Sequence, residues 1–152
     1  MRVLLAALSV LAGLAAPAAA VGPTDIARVD EFIHAPHTLF GRTRAEIERR
    51  LGAPAEVQPR AGTVRLSWPG LDIAVSHAAR VASVVLREAG RPLPLGLDVG
   101  ASRAHVEAVL GEAQDMTDER YFYLYSDGFP NTVEFFFRDG RVTRIEWRFW
   151  TE

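Results

Sequence analysis

The chain has 152 residues, 49% of them hydrophobic, with 17 basic and 19 acidic residues and a formal net charge of −2. That balance argues against a nucleic-acid or membrane-surface role, since both favour a basic patch. Every basic residue is arginine and there is no cysteine, which excludes Schiff-base and P-loop lysine chemistry, disulfides and a lipid-accepting cysteine.

Residues 1–20 predict a cleavable secretory signal. Met1-Arg2 is a short positive start, an apolar run follows to Ala16, Pro17 breaks it, and Ala18-Ala19-Ala20 fits a signal-peptidase site. The run is shorter than the roughly 20 apolar residues that span a bilayer. Cleavage near Ala20 would release a periplasmic or secreted protein with no stable membrane anchor. Its 16 arginines against 19 acids give −3. Without disulfides, such a domain depends on its core.

Residues 21–39 form an N-terminal segment in which Ile26, Val29 and Phe32 or Ile33 suggest one short helix. His34-x-x-His37 is a conceivable metal pair. It lies in a Pro-containing stretch without a third ligand and reads as loop histidines, so no metal and no cofactor are expected.

Phe40–Gly52 and Val99–Gly111 share six identities in thirteen positions without a gap: Gly41/Gly100, Arg44/Arg103, Ala45/Ala104, Glu48/Glu107, Leu51/Leu110 and Gly52/Gly111. Thr43 and Ser102 are N-cap candidates, and Glu46 completes a capping box that His105 cannot. Ile47/Leu51 and Val106/Leu110 mark one helix face. Gly52 and Gly111 stand where a left-handed residue ends a helix. Glu48 and Glu107 are expected to pair with Arg44 and Arg103 one turn earlier.

Three strand-like runs follow each block. They are Thr63–Trp68, Leu71–Ser76 and Val81–Arg87, then Arg120–Tyr125, Thr132–Phe137 and Val142–Phe149, with Asp139-Gly140 a strong hairpin signal. The expected fold is α+β: two tandem units, each a helix plus a three- to four-stranded antiparallel meander, with the helices on one sheet face. Unit 1 covers 40–87, a Pro/Gly-rich linker 88–97, and unit 2 98–150.

The repeated Gly-x-Ser/Thr-Arg-Ala-x-Val-Glu-x-x-Leu-Gly block, followed by a meander with an Asp-Gly-Arg-Val turn, resembles the β-lactamase inhibitor protein-like superfamily. That group takes in the small outer-membrane lipoprotein of the β-barrel assembly machinery. The resemblance covers 38–87 and 95–149. It implies a helix laid on an antiparallel sheet, protein partners and no catalytic site.

Alternation sorts the strands into two faces. In unit 1 the core set is Val64, Leu66, Trp68, Leu71, Ile73, Val75, Val84 and Leu86. In unit 2 it is Phe122, Leu124, Val133, Phe135, Phe137, Ile145, Trp147 and Phe149. The opposite face of unit 2 then carries Tyr121, Tyr123, Tyr125, Phe136, Arg144, Arg148 and Trp150 with Glu134 and Glu146. Aromatics and arginine are enriched at binding hot spots, so those seven are the candidate partner-binding residues. The same aromatics could instead pack against the N-terminal segment or the other unit.

No nucleophile, base and orienting partner come together in the sequence, and no Gly-x-Ser-x-Gly elbow is present. The reading is an exported, non-catalytic module that binds another protein, whose identity the sequence leaves open. The alternatives are a proteinaceous inhibitor of a secreted or periplasmic enzyme, an envelope-assembly accessory, and a weak hydrolase or small-ligand carrier.

Overall fold

The computed structural model describes residues 19–125, 127 and 130–151; the signal expected over 1–20 lies outside the described residues up to position 18. The fold is α+β: among the described residues it has three α-helices and one open, antiparallel, eight-stranded sheet. The helices are α1 (Ile26–Phe40), α2 (Arg44–Leu51) and α3 (Arg103–Leu110). The strands are β1 (Glu56–Arg60), β2 (Thr63–Trp68), β3 (Leu71–Ser76), β4 (Val81–Leu86), β5 (Asp115–Met116), β6 (Arg120–Leu124), β7 (Thr132–Arg138) and β8 (Arg141–Arg148). The sheet runs β1-β2-β3-β4-β8-β7-β6-β5. Two meanders therefore meet along their last strands, with Val84 opposite Trp147 and Leu86 opposite Ile145.

The six inner strands fall on the six apolar runs of the sequence. The edge strands β1 and β5 carry no such run. β1 is mostly exposed and contains Pro59, and β5 has two residues. Proline on an edge blunts further strand pairing.

Each short helix is tied to a hairpin. Thr43 Oγ1 accepts from Glu46 N–H, and Glu46 Oε2 accepts from Thr43 N–H, closing the capping box. Ser102 accepts from His105 N–H without the reciprocal bond. The first-turn amide of Arg44 donates to Ala79 O at 3.1 Å, and that of Arg103 donates to Gly140 O at 2.8 Å. These orphan helix donors are thus satisfied by turn carbonyls of the β3–β4 and β7–β8 hairpins.

The terminating glycines differ from expectation. Gly52 (φ 79°, ψ −176°) and Gly111 (φ 72°, ψ −157°) are not in the left-handed helical well. They occupy the positive-φ, extended region that is essentially reserved for glycine.

The N-terminal helix is longer and more central than its sequence suggests. It runs 15 residues to Phe40, through Pro36, and so takes in the stretch read as loop. Asp25 caps it by accepting from Arg28 N–H at 3.1 Å. Phe32 stacks on Phe135 and against Trp147, both with ring centroids 5.4 Å apart, and all three are fully buried. α1 therefore covers the seam side of the sheet, with Ile47 of α2 and Val106 and Leu110 of α3 completing the layer.

Pro36 lacks the N–H that would bond the Phe32 carbonyl one turn back. Trp147 Nε1 donates to that carbonyl instead, at 3.0 Å in the buried core. Trp147→Phe should therefore cost about 1–3 kcal/mol, because a buried acceptor loses its donor. In a Pro36→Ala background the restored amide reaches Phe32 O, and the same substitution should cost measurably less. Denaturant unfolding of the four proteins measures the coupling. Equal costs in both backgrounds would show that the indole does not replace the missing amide.

Candidate functional site

Among the described residues all three helices cover one side of the sheet, so the other side is a helix-free face crossed by all eight strands. One register row runs straight across it: Glu56, Ser67, Asp72 and Val85 from β1 to β4, then Glu146, Glu134, Phe122 and Asp115 from β8 to β5. Glu134 and Glu146 face each other directly, an unfavourable arrangement for like charges.

Arginines two residues along the strands offset it. Arg120 lies 3.1 Å from Glu134 and also binds Asp115. Arg148 lies 3.5 Å from Glu146 and 3.9 Å from Glu134, and Arg144 lies 2.9 Å from Glu146. The Glu134 side chain is only 7% exposed although its face has no helix over it. The network continues at Arg87–Asp72, 2.8 Å. Burial raises the Asp72 carboxyl, but hydrogen bonds from Ser67 and Arg87 and the charges of Arg87 and Arg65 outweigh it and hold its pKa below the usual value. The face is a lattice of acids between arginines, each sign neutralised by the other.

Apolar groups interrupt the lattice. The Arg144 guanidinium sits 3.9 Å over the Phe136 ring, a cation–π geometry. Phe122 is half-buried and Leu124 is 39% exposed. A shallow cleft of about 440 Å³ opens beside Phe136 and Arg144, walled by Asp118, Glu119, Arg138 and Asp139.

The seven sequence-derived residues divide. Phe136, Arg144 and Arg148 lie together on the helix-free face, and the core set assigned to β2, β3, β4, β7 and β8 is on the helix side. The face assignment of β6 is reversed. Tyr121 and Tyr123 are buried on the helix side, opposite Phe135 and Val133, while Phe122 and Leu124 are on the helix-free face. Tyr125 is half-buried with its ring edge-on to His34, centroids 4.7 Å apart. Trp150 is 58% exposed beyond the end of β8.

The reversal has a chemical cause. Both alternating sets of Tyr-Phe-Tyr-Leu-Tyr are hydrophobic enough to be buried, so the strand has no polar face to fix its own register. α3 decides. Tyr123 OH donates to Gly111 O at 2.9 Å, and Tyr121 OH donates to Glu107. A buried tyrosine needs a partner for its hydroxyl, and the two partners are in α3 and at the glycine that caps it. Burial, then the Glu107 hydrogen bond, push the Tyr121 hydroxyl up to about 12.

That bond also corrects the expected role of Glu107. Arg44 and Glu48 pair as expected, at 2.8 Å. Arg103 instead reaches Asp118 and lies over the Phe137 ring at 5.1 Å.

His34 and His37 are placed differently from their reading as loop residues. His34 and His37 lie on consecutive turns of α1, ring centroids 6.4 Å apart. His77 is exposed in the β3–β4 turn, and His105 is exposed in α3.

Compared by sequence, the chain matches no family model and no curated protein. Compared by structure, it is similar to an extracellular protein containing a SCP domain from Bacillus anthracis, with a TM-score of 0.56 at 10% identity. That match covers 73% of this chain and 44% of the other, so this chain spans less than half the length of its neighbour. A DUF4309 family protein (YjgB) from Bacillus subtilis overlaps it with a TM-score of 0.49 at 16% identity, over 82% of this chain and 99% of that one. At 10% identity the first likeness speaks for the fold alone. No helix among the described residues is long and apolar enough to cross a membrane.

Proposed function

We propose that this is an exported, non-catalytic module that binds another protein through the helix-free face of its sheet. The observation that carries the reading is the set of Phe136, Arg144, Arg148, Phe122 and Leu124, gathered on a face that no helix covers. Aromatic and arginine side chains with exposed apolar neighbours are the composition of protein interfaces. The self-neutralised charge lattice suits a partner that presents its own alternating charges, since complementarity then sets register and specificity.

The two halves are read as copies of one unit. Each has a short helix whose capping residue bridges to a hairpin, Thr43 to Arg80 and Ser102 to Arg141, and each contributes four consecutive strands. The recurring helix block supports the same reading and the resemblance to the β-lactamase inhibitor protein-like superfamily.

Phe136→Ala and Arg148→Ala together should reduce cross-linked capture of the partner in the native envelope at least tenfold. Loss of Arg148 leaves Glu134 and Glu146 with Arg120 and Arg144 alone, so the unfolding midpoint should fall somewhat, and capture is read at a temperature where circular dichroism shows the variant folded. Capture equal to that of the unaltered protein would overturn this siting.

A further inference from the structure

A second feature lies at the end of the sheet, away from the acid-and-arginine lattice. The C-terminal half of α1, the turn before α2, the β3–β4 hairpin and the residues after β8 enclose a cleft of about 190 Å³. Its polar lining is His34, His37, Arg42, Arg80, Asn131 and Thr151, over apolar Phe149. No carboxylate lines it among the described residues. Among the described residues neither the Arg42 nor the Arg80 guanidinium has a carboxylate partner, whereas Arg87, Arg120, Arg144 and Arg148 on the helix-free face are each paired. A protein of net negative charge thus holds a hollow that is lined, among the described residues, by two arginines and no acid.

The groups are held in place by the fold. Val81 N–H donates to the Arg42 carbonyl at 3.0 Å, which keeps the two arginine-bearing turns together. His34 Nδ1 lies 2.9 Å from the Asp30 carbonyl and donates to it, so Nε2 can donate to an oxyanion only when the ring is protonated. His37 stacks on Phe149 with centroids 4.0 Å apart. The Asn131 Oδ1 accepts from Trp150 N–H at 2.8 Å, which sets that amide. Two arginines beside two histidines repel a metal cation and match the donors that bind phosphate, sulfate or carboxylate oxygens.

We infer that this cleft is a binding site for a small oxyanion, with Arg42 and Arg80 as the charge-assisted donors and His34, His37 and Asn131 as further hydrogen-bonding groups. A volume of about 190 Å³ accommodates one such headgroup and not a drug-sized molecule, whose pockets are roughly 300–1,000 Å³. This site is independent of the partner-binding reading of the sheet.

The charges facing the histidines explain a linked behaviour. Burial, then Arg42, then His34 lower the His37 pKa from 6.5 to about 4. A bound anion counters that positive field, so binding and protonation of His37 favour each other.

Sulfate is the first probe, because its charge is constant across the useful pH range. Titrated at fixed ionic strength, it should shift the imidazole NMR signals of His34 and His37 along one saturable curve, with Kd of about 10 mM or below. The Arg42→Gln/Arg80→Gln protein, shown folded by its circular dichroism, should bind at least tenfold more weakly. Arg60→Gln, on the remote β1 edge, should bind normally. Affinity should rise as pH is lowered from 7 toward 4. Parallel titrations with inorganic phosphate, glycerol phosphate and acetate identify which oxyanion source is preferred. Absence of saturable shifts with sulfate and phosphate would overturn the site, and so would equal affinity in the double variant.

Discussion

Gly111→Ala should be among the most damaging single substitutions in this protein, costing more than about 4 kcal/mol, while its counterpart Gly52→Ala should cost about 1–3 kcal/mol. Both glycines end a helix at the same backbone conformation, and a side chain pays the same conformational penalty at each. Their surroundings differ. A Cβ on Gly52 meets nothing within 4 Å. A Cβ on Gly111 would lie 2.0 Å from the Pro23 carbonyl oxygen and 3.0 Å from the Thr24 Cα, which are backbone atoms that cannot rotate away.

The segment before α1 would have to leave. It would give up the bonds from Glu112 N–H to Gly22 O at 2.9 Å and from Asp25 N–H to Leu110 O at 2.8 Å, and the Thr24 hydroxyl bond to Glu112 O. Unfolding midpoints of the two variants measure the difference. Hydrogen exchange adds a local readout: the Asp25 and Glu112 amides should lose protection in Gly111→Ala and keep it in Gly52→Ala. Equal destabilisation of the two would mean that the Pro23 contact carries no weight.

Tyr123→Ala should destabilise by about 3–5 kcal/mol, the range for removing a large buried aromatic side chain. Its side chain is fully buried, edge-on to Phe135 with centroids 6.0 Å apart, and its hydroxyl satisfies the Gly111 carbonyl. Tyr123→Phe isolates the last contribution and should cost about 1–2 kcal/mol, as a buried acceptor is left without its donor. Trp150→Ala should change stability by less than about 1 kcal/mol, since that residue is mostly exposed. Urea unfolding of the three proteins checks the order. A Tyr123→Ala protein as stable as the unaltered chain would place this tyrosine on the helix-free face after all. Gly111 is common to both predictions: its Cα admits the N-terminal segment, and its carbonyl anchors a strand.

Much of the fold was legible in the sequence because inner strands and helix faces announce themselves locally. The runs at 63–68, 71–76 and 132–137 are whole strands or nearly so. Thr43 with Glu46 formed its capping box because both partners lie within one turn. The candidate site was legible only where one alternating set was clearly polar. On β8 the Arg144, Glu146, Arg148 set could face only outward, and on β7 the Phe136 side followed from Glu134 beside it. β6 offers no such contrast, and Tyr121, Tyr123, Phe122 and Leu124 take the faces opposite to those expected from alternation.

The cationic cleft was invisible for another reason. His34, His37, Arg42, Arg80 and Asn131 come from three separate stretches, and only the packing of α1 across the sheet ends brings them together. The long-range roles of Pro36 and Trp147 are of the same kind, since a missing amide in a helix is answered by an indole 111 positions later.

The sequence by itself determined the repeated helix block, the six inner strands, their antiparallel order within each meander and the outward-facing arginines of β8. Those follow from periodicity and turn chemistry, which act over a few residues. The tertiary structure decided how the two meanders join, where α1 lies, which way β6 faces and what each repeated residue does. Glu48 pairs with its helix neighbour while Glu107 holds a tyrosine, and Gly52 stands in the open while Gly111 is pressed against Pro23. Identical residues in matching positions take different roles because burial and hydrogen-bond partners are supplied by whatever the rest of the chain brings against them.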